Sequence, residues 1–91
     1  MTEQEIMITN RAGVHARPAA LLVRSANRFQ ADIYLEKDGE RVNAKSIMGI
    51  IALGAGYRSS VKVSATGKDE IDAVHTIIRV IESKFQVEEE T

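Results

Sequence analysis

The stretch Gly13-Val14-His15-Ala16-Arg17-Pro18-Ala19-Ala20 is where the chain first changes its pattern. Before it, Ile6 and Ile8 alternate with outward neighbours, which predicts a strand over Glu5–Thr9. After it, Ala19, Leu22, Val23 and Ala26 recur at i, i+3, i+4 and i+7, which predicts a helix from Ala16 to Asn27. Pro18 is the only proline. Its φ is fixed and it has no N–H to lose, so it suits the first turn of that helix. It also biases Arg17 away from the α region, which leaves the first helical residue open. His15 then falls at or just before the helix start. The backbone N–H groups there lack intrahelical partners and the dipole is positive.

That placement suits an anion, which the free N–H groups and the dipole would hold. It disfavours an imidazolium, because Arg17 and the helix end are both positive. A His15 pKa below the ordinary value is expected, with a neutral, nucleophilic ring near pH 7. Arg17 adds a donor that can grip phosphate oxygens in bidentate fashion. Spacing alone does not decide the matter, since a lone loop histidine is more often merely solvated.

Further along, Ile33 and Leu35 alternate within a strand over Asp32–Lys37. Asp38-Gly39 is a strong two-residue hairpin signal, and Arg41–Ala44 is the expected return strand, with Val42 facing inward. Ser46 fits the N-cap of a short helix from Ile47 to Leu53. The apolar residues of that helix spread around most of its circumference, more than one sheet face can cover. Ile47, Met48 and Ile51 are expected to remain in water as a docking patch, unless a loop or chain end covers them. Gly54 and Gly56 end the helix, Ser60–Thr66 alternates as a fourth strand, and Gly67 turns. A last helix is predicted from Glu70 to Phe85, with Ile71, Val74, Ile78, Ile81 and Phe85 as its buried stripe. Asp69, Glu70 and Asp72 suit its positive start and Lys84 its negative end. His75 reads as a surface residue, and Arg24 and Arg28 lie off the first helix's apolar stripe, adding to the charge of Arg17. The sum, β-α-β-β-α-β-α, is a two-layer α+β arrangement with helices on one sheet face.

The 91 residues bound the rest, reading as a single domain, 1–91. Apolar content of 44% and charged content of 27% are ordinary for a globular chain. A net charge of −1 gives no basic footprint for nucleic acid. No cysteine is present, which excludes disulfides and thiolate metal sites. His15 and His75 fall in different elements, so no metal site and no cofactor is expected. The acidic N-terminus lacks the features of a signal peptide. The run Ser46–Tyr57 is too short and glycine-broken to span a bilayer. A cytoplasmic protein without membrane insertion is expected, with a frayed acidic tail over residues 87–91.

The Gly13–Ala20 stretch resembles the active-site segment of HPr, the histidine-containing phosphocarrier family of the bacterial phosphotransferase system. Lys45-Ser46-Ile47-Met48-Gly49 is similar to that family's regulatory-serine segment, in register and without gaps from about Ile6 to Phe85. The resemblance implies an open-faced β-sandwich with an antiparallel sheet of order 1-4-2-3 and three helices on one face. It implies a stoichiometric carrier, not an enzyme. A phosphoryl group would come from Enzyme I, sit on Nδ1 of His15, and pass to an enzyme IIA. Ala16, Arg17 and Pro18 would form the phosphate-binding helix start. Ser46 would be phosphorylated by HPr kinase/phosphorylase, which could recruit a catabolite-control transcription factor; capping alone also explains a serine there. Ala20, Arg24, Ile47, Met48 and Ile51 would join Arg17 as the contact face of a monomer. The chain departs from the family at Ala12, where relatives often carry serine or threonine, and at Arg58, where they tend to carry glycine; Tyr57 beside it is expected to reshape the far end of the short helix. Two rivals stand: a nitrogen-type regulatory carrier, and a pure binding module working through the apolar patch. An independent enzyme is disfavoured, because no acid–base pair accompanies His15.

Overall fold

A computed structural model describes residues 1–14 and 16–85. Along the chain run β1 (Thr2–Met7), α1 (Ala16–Ala26), β2 (Asp32–Lys37), β3 (Glu40–Asn43), α2 (Ile47–Leu53), β4 (Ser60–Thr66) and α3 (Glu70–Glu82). The four strands form one antiparallel sheet in the order β1-β4-β2-β3. This is the order implied by the resemblance, and the three helices pack on one face. The β2–β3 turn is the expected one: Asp38 and Gly39 both take positive φ, 53° and 81°, as a right-twisted hairpin demands.

Alternation along β4 sends Val61, Val63 and Ala65 into the core. Ile33 and Leu35 of β2 join them, and α3 covers the sheet with Val74, Ile77, Val80 and Ile81. α1 contributes Ala19, Leu21, Leu22 and Ala26 and packs against both α2 and α3. The opposite sheet face carries polar residues: the register pairs Glu3 and Tyr34 with Ser64, and Glu5 and Glu36 with Lys62.

Several expected boundaries move. β1 starts at Thr2 and ends at Met7, because cross-strand pairing from Thr2–Ala65 to Met7–Ser60 governs this edge strand more than its own alternation does. Ile8 is buried just past the strand, where its N–H donates to the Ser59 carbonyl at 2.8 Å. β3 spans Glu40–Asn43, one residue earlier than expected, with Val42 only half-buried. α3 stops at Glu82, short of the expected Phe85. The N–H groups of Phe85 and Lys84 bond back to the carbonyls of Val80 and Ile81, both at 2.9 Å, and Lys84 turns left-handed at φ 61°. This is a Schellman end, so Lys84 lies beyond the helix. Ile71, expected in the buried stripe, is 58% exposed. It sits in the first turn, past the edge of a face centred on Ala73, Ile77 and Val80.

The acids at the start of α3 tie loops together. Asp69 takes the N–H groups of Gln30 and Ala31 at 3.0 and 2.9 Å, which pins the α1–β2 connection. Glu70 accepts the Thr2 hydroxyl at 2.7 Å and the Gly67 N–H at 3.0 Å. Those bonds, the Thr2 hydroxyl first, lower the Glu70 pKa to about 2. The backbone N–H of Gln30 is the main cause of a lowered Asp69 pKa.

Candidate functional site

His15 lies outside the described residues, and so does the expected lowering of its pKa. Its neighbours on both sides are in place. The Gly13 N–H donates to the Asn10 carbonyl at 3.1 Å, and the Asn10 amide returns a bond to the Gly13 carbonyl at 2.8 Å. Val14 is buried and its N–H donates to the Ala55 carbonyl at 2.8 Å. Gly13 holds φ +75° with Ala55 and Gly56 backbone atoms 3.0 Å from where a Cβ would stand. The loop before His15 is thus fastened to the loop after α2.

α1 begins at Ala16. Arg17 is helical despite the proline that follows, and both Ala16 and Arg17 are exposed. No acidic residue occupies the first turn, so the positive end of the dipole is not offset there. Arg17, Pro18, Ala20, Leu21 and Arg24 form one wall of a groove of about 600 Å³, and Lys84 and Phe85 form the other. Arg28, grouped with Arg17 on sequence, instead lies past the far end of α1, its guanidinium 6.0 Å from the Phe29 ring centre.

α2 carries the expected cap: Ser46 Oγ accepts the Gly49 N–H at 3.1 Å. Ile50 and Leu53 turn inward, while Ile47, Met48 and Ile51 are 40%, 72% and 39% exposed. At the far end of α2, Arg58 takes the left-handed conformation, φ 70°, and its N–H bonds to the Ile8 carbonyl at 2.7 Å. The guanidinium carbons of Arg11 and Arg58 each lie 5.4 Å from the Tyr57 ring centre.

The structure therefore brings Arg17, Ala20 and Arg24 onto one groove and gathers Ile47, Met48 and Ile51 on the exposed side of α2. Sequence reasoning missed Lys84 and Phe85 as groove residues, because it ran α3 through them. It also missed the Arg11–Tyr57–Arg58 stack. The near-turnless Ser83-Lys84-Phe85 offered no glycine to flag the helix end. Among the described residues no group of three or more His, Cys, Asp or Glu could hold a metal. Among them, too, no helix is long and apolar enough to cross a membrane. His75 is exposed.

The family model for the PTS HPr component phosphorylation site matches residues 2–83. Phosphocarrier protein HPr of Treponema pallidum is 48% identical over 88 residues, 97% of this chain and 100% of that protein. The crystal structure of HPr-C-His from Thermoanaerobacter tengcongensis is 50% identical, with a TM-score of 0.92 and full coverage of both chains. The catabolite repression protein Crh of Bacillus subtilis, solved as a dimer with a swapped domain, is 40% identical at a TM-score of 0.75, covering 96% of this chain and 100% of its own. With two sequence segments, the sheet order and these matches in agreement, the chain belongs to the HPr phosphocarrier family of the bacterial phosphotransferase system.

Proposed function

We propose that His15 takes a phosphoryl group from phosphorylated Enzyme I and passes it to a sugar-specific enzyme IIA. The observation that supports this most is the start of α1 at Ala16, next to His15 in sequence, with Arg17 exposed in the first turn. The first N–H groups of α1 and the Arg17 guanidinium would stabilise negative charge on the transferring oxygens. Pro18 has no N–H to give and serves by fixing the helix start. The imidazole Nδ1–P bond forms as the donor's bond to phosphorus breaks, and the displacement repeats at the acceptor. Stabilisation has to stay moderate, because a group bound too well in its resting state is slow to leave.

Ile47, Met48 and Ile51 supply the apolar centre of the contact face, and Ala20, Arg17 and Arg24 its basic side. Ser46 is the regulatory position, modified by HPr kinase/phosphorylase. A phosphate there adds about −1.5 to −2 of charge beside Ile47 and Met48. At a helix N-cap it meets a favourable dipole and leaves the fold intact. It spoils an apolar surface for Enzyme I and offers a handle to an arginine-rich regulator, such as a catabolite-control transcription factor. The chain acts in this reading as a cytoplasmic single-domain monomer. The Crh relative, a swapped dimer linked to catabolite repression, favours a second reading in which the chain serves regulation and not sugar uptake.

The test is a discharge experiment. The chain is incubated with Enzyme I and labelled phosphoenolpyruvate, then challenged with enzyme IIA. Acid-labile label that appears and then moves to IIA supports the carrier. Label that stays put with every IIA tried, while Ser46 is a good kinase substrate, supports the regulatory reading.

A further inference from the structure

We infer that Arg11 and Arg58, gathered on the Tyr57 ring, form a second basic contact for Enzyme I, one that takes carboxylates on that partner's surface. The inference rests on the carrier function proposed above and extends the surface that the phosphoryl donor reads.

The two guanidinium carbons each lie 5.4 Å from the Tyr57 ring centre, so they stand no farther from each other than twice that distance. Arg11, Tyr57 and Arg58 are all exposed. Among the described residues neither arginine pairs with a carboxylate. Two like charges held on one ring, with no acid paired to either, make a positive spot that attracts anionic groups. The ring orders both side chains in advance. A guanidinium on a ring face keeps its edge N–H groups for a carboxylate.

The backbone singles out Arg58. It is held left-handed at φ 70°, a conformation that glycine would adopt without strain. Its backbone N–H bonds to the Ile8 carbonyl, which glycine would do equally well. Within the fold its side chain only borders Tyr57. Strain kept for a side chain that the fold does not need points to a use outside the fold.

The stack also stands in the right place. The Ile8 N–H donates to the Ser59 carbonyl and the Val14 N–H to the Ala55 carbonyl, both at 2.8 Å. The segments 8–14 and 55–59 are thus fastened together; one leads into His15 and the other follows α2, with its exposed Ile47, Met48 and Ile51. Arg11 lies four residues before His15 and Arg17 two after it. Positive charge then flanks the acceptor on both sides in sequence. Charge at the rim of a contact face raises the rate of encounter more than it slows release.

Surface plasmon resonance on immobilised Enzyme I tests this with the unphosphorylated full-length chain. The variant R11Q/R58Q removes both charges and keeps a non-glycine residue at the left-handed position, so its melting temperature should match wild type. The control R41Q/K62Q removes two charges from the opposite sheet face, where Glu36 pairs with both residues. At low ionic strength R11Q/R58Q should associate roughly three- to ten-fold more slowly, with its off-rate and both rates of the control within about two-fold of wild type. In 0.5 M salt the Debye length falls to a few ångströms and the difference should shrink below about two-fold. If the double variant melts lower, Arg11→Gln alone carries the test, with an on-rate loss of about two-fold. Equal on-rates for wild type and variant, an equal loss in the control, or a loss that salt does not reduce overturns the inference. So does a loss seen with enzyme IIA but not with Enzyme I. Wild type that binds Enzyme I through this contact yet takes no phosphate on His15 defeats the carrier reading and leaves the contact standing. Wild type that takes phosphate, with binding undiminished in R11Q/R58Q, defeats only the contact.

Discussion

The Val14 N–H donates to the Ala55 carbonyl at 2.8 Å, so the residue before His15 hangs on the loop that follows α2. Gly13 makes this approach possible, with φ +75° and neighbouring backbone 3.0 Å from a would-be Cβ. Gly13→Ala should therefore lower unfolding free energy by about 1–3 kcal/mol, the range for a non-glycine residue held left-handed and crowded. Denaturant titration measures it, and an unchanged midpoint would contradict the close packing of the two loops.

Arg58 supplies the opposite case. It holds φ 70° where an L residue is disfavoured, and its side chain only borders the Tyr57 ring at 5.4 Å. Arg58→Gly removes the backbone strain, about 1–2 kcal/mol, and an exposed cation–π contact of about 0.5–1 kcal/mol. A net gain in stability of up to about 1 kcal/mol is expected by thermal or chemical denaturation. A loss would mean that the Tyr57 contact outweighs the strain.

Acid should weaken the fold through Glu70. Its folded pKa, lowered to about 2 by the Thr2 hydroxyl and Gly67 N–H, lies below the unfolded value near 4.5. The unfolded chain thus binds the proton more readily, so this contribution is full above about pH 4.5 and is lost as pH falls toward 2. Asp69, lowered mainly by the Gln30 N–H, acts with the same sign. Glu70→Gln should flatten the stability-versus-pH curve between these limits. An identical acid limb in the variant would rule out Glu70 as its source.

Ser46→Asp keeps an N-cap acceptor, so stability should change by less than about 0.5 kcal/mol. The new charge sits beside Met48, which is 72% exposed, and phosphorylation by Enzyme I should slow several-fold. A large fall in melting temperature would show Ser46 Oγ to be needed structurally. An unchanged rate would separate α2 from the docking face.

Much of this was legible in the chain because local chemistry was decisive. Asp38-Gly39 dictates its turn, Ser46 dictates its cap, and α2 has more apolar surface than a sheet can cover, which announces the exposure of Ile47, Met48 and Ile51. The illegible parts depend on partners far away in sequence. β1 takes its limits from β4, and its outer residues are polar because an edge strand shows one face to water. The stripe through Ile71, Val74, Ile78 and Ile81 captured only half of a wider apolar face. Ala73, Ile77 and Val80 rotate α3 so that Ile71 falls outside. Ser25 and Leu21 are buried because α1 packs against two helices, α2 and α3, which no single stripe could reveal. The groove needed the end of α3, and that end was hidden by a left-handed lysine where glycine is usual.

His15 is the residue proposed to accept the phosphoryl group. Wild-type chain and His15→Ala are each treated with Enzyme I and phosphoenolpyruvate, and the phosphorylated residue is located by mass spectrometry under neutral conditions. One acid-labile phosphate on His15 of the wild type, and none on the variant, is the predicted result. No phosphate on the wild type, or equal phosphate on both proteins, would contradict it.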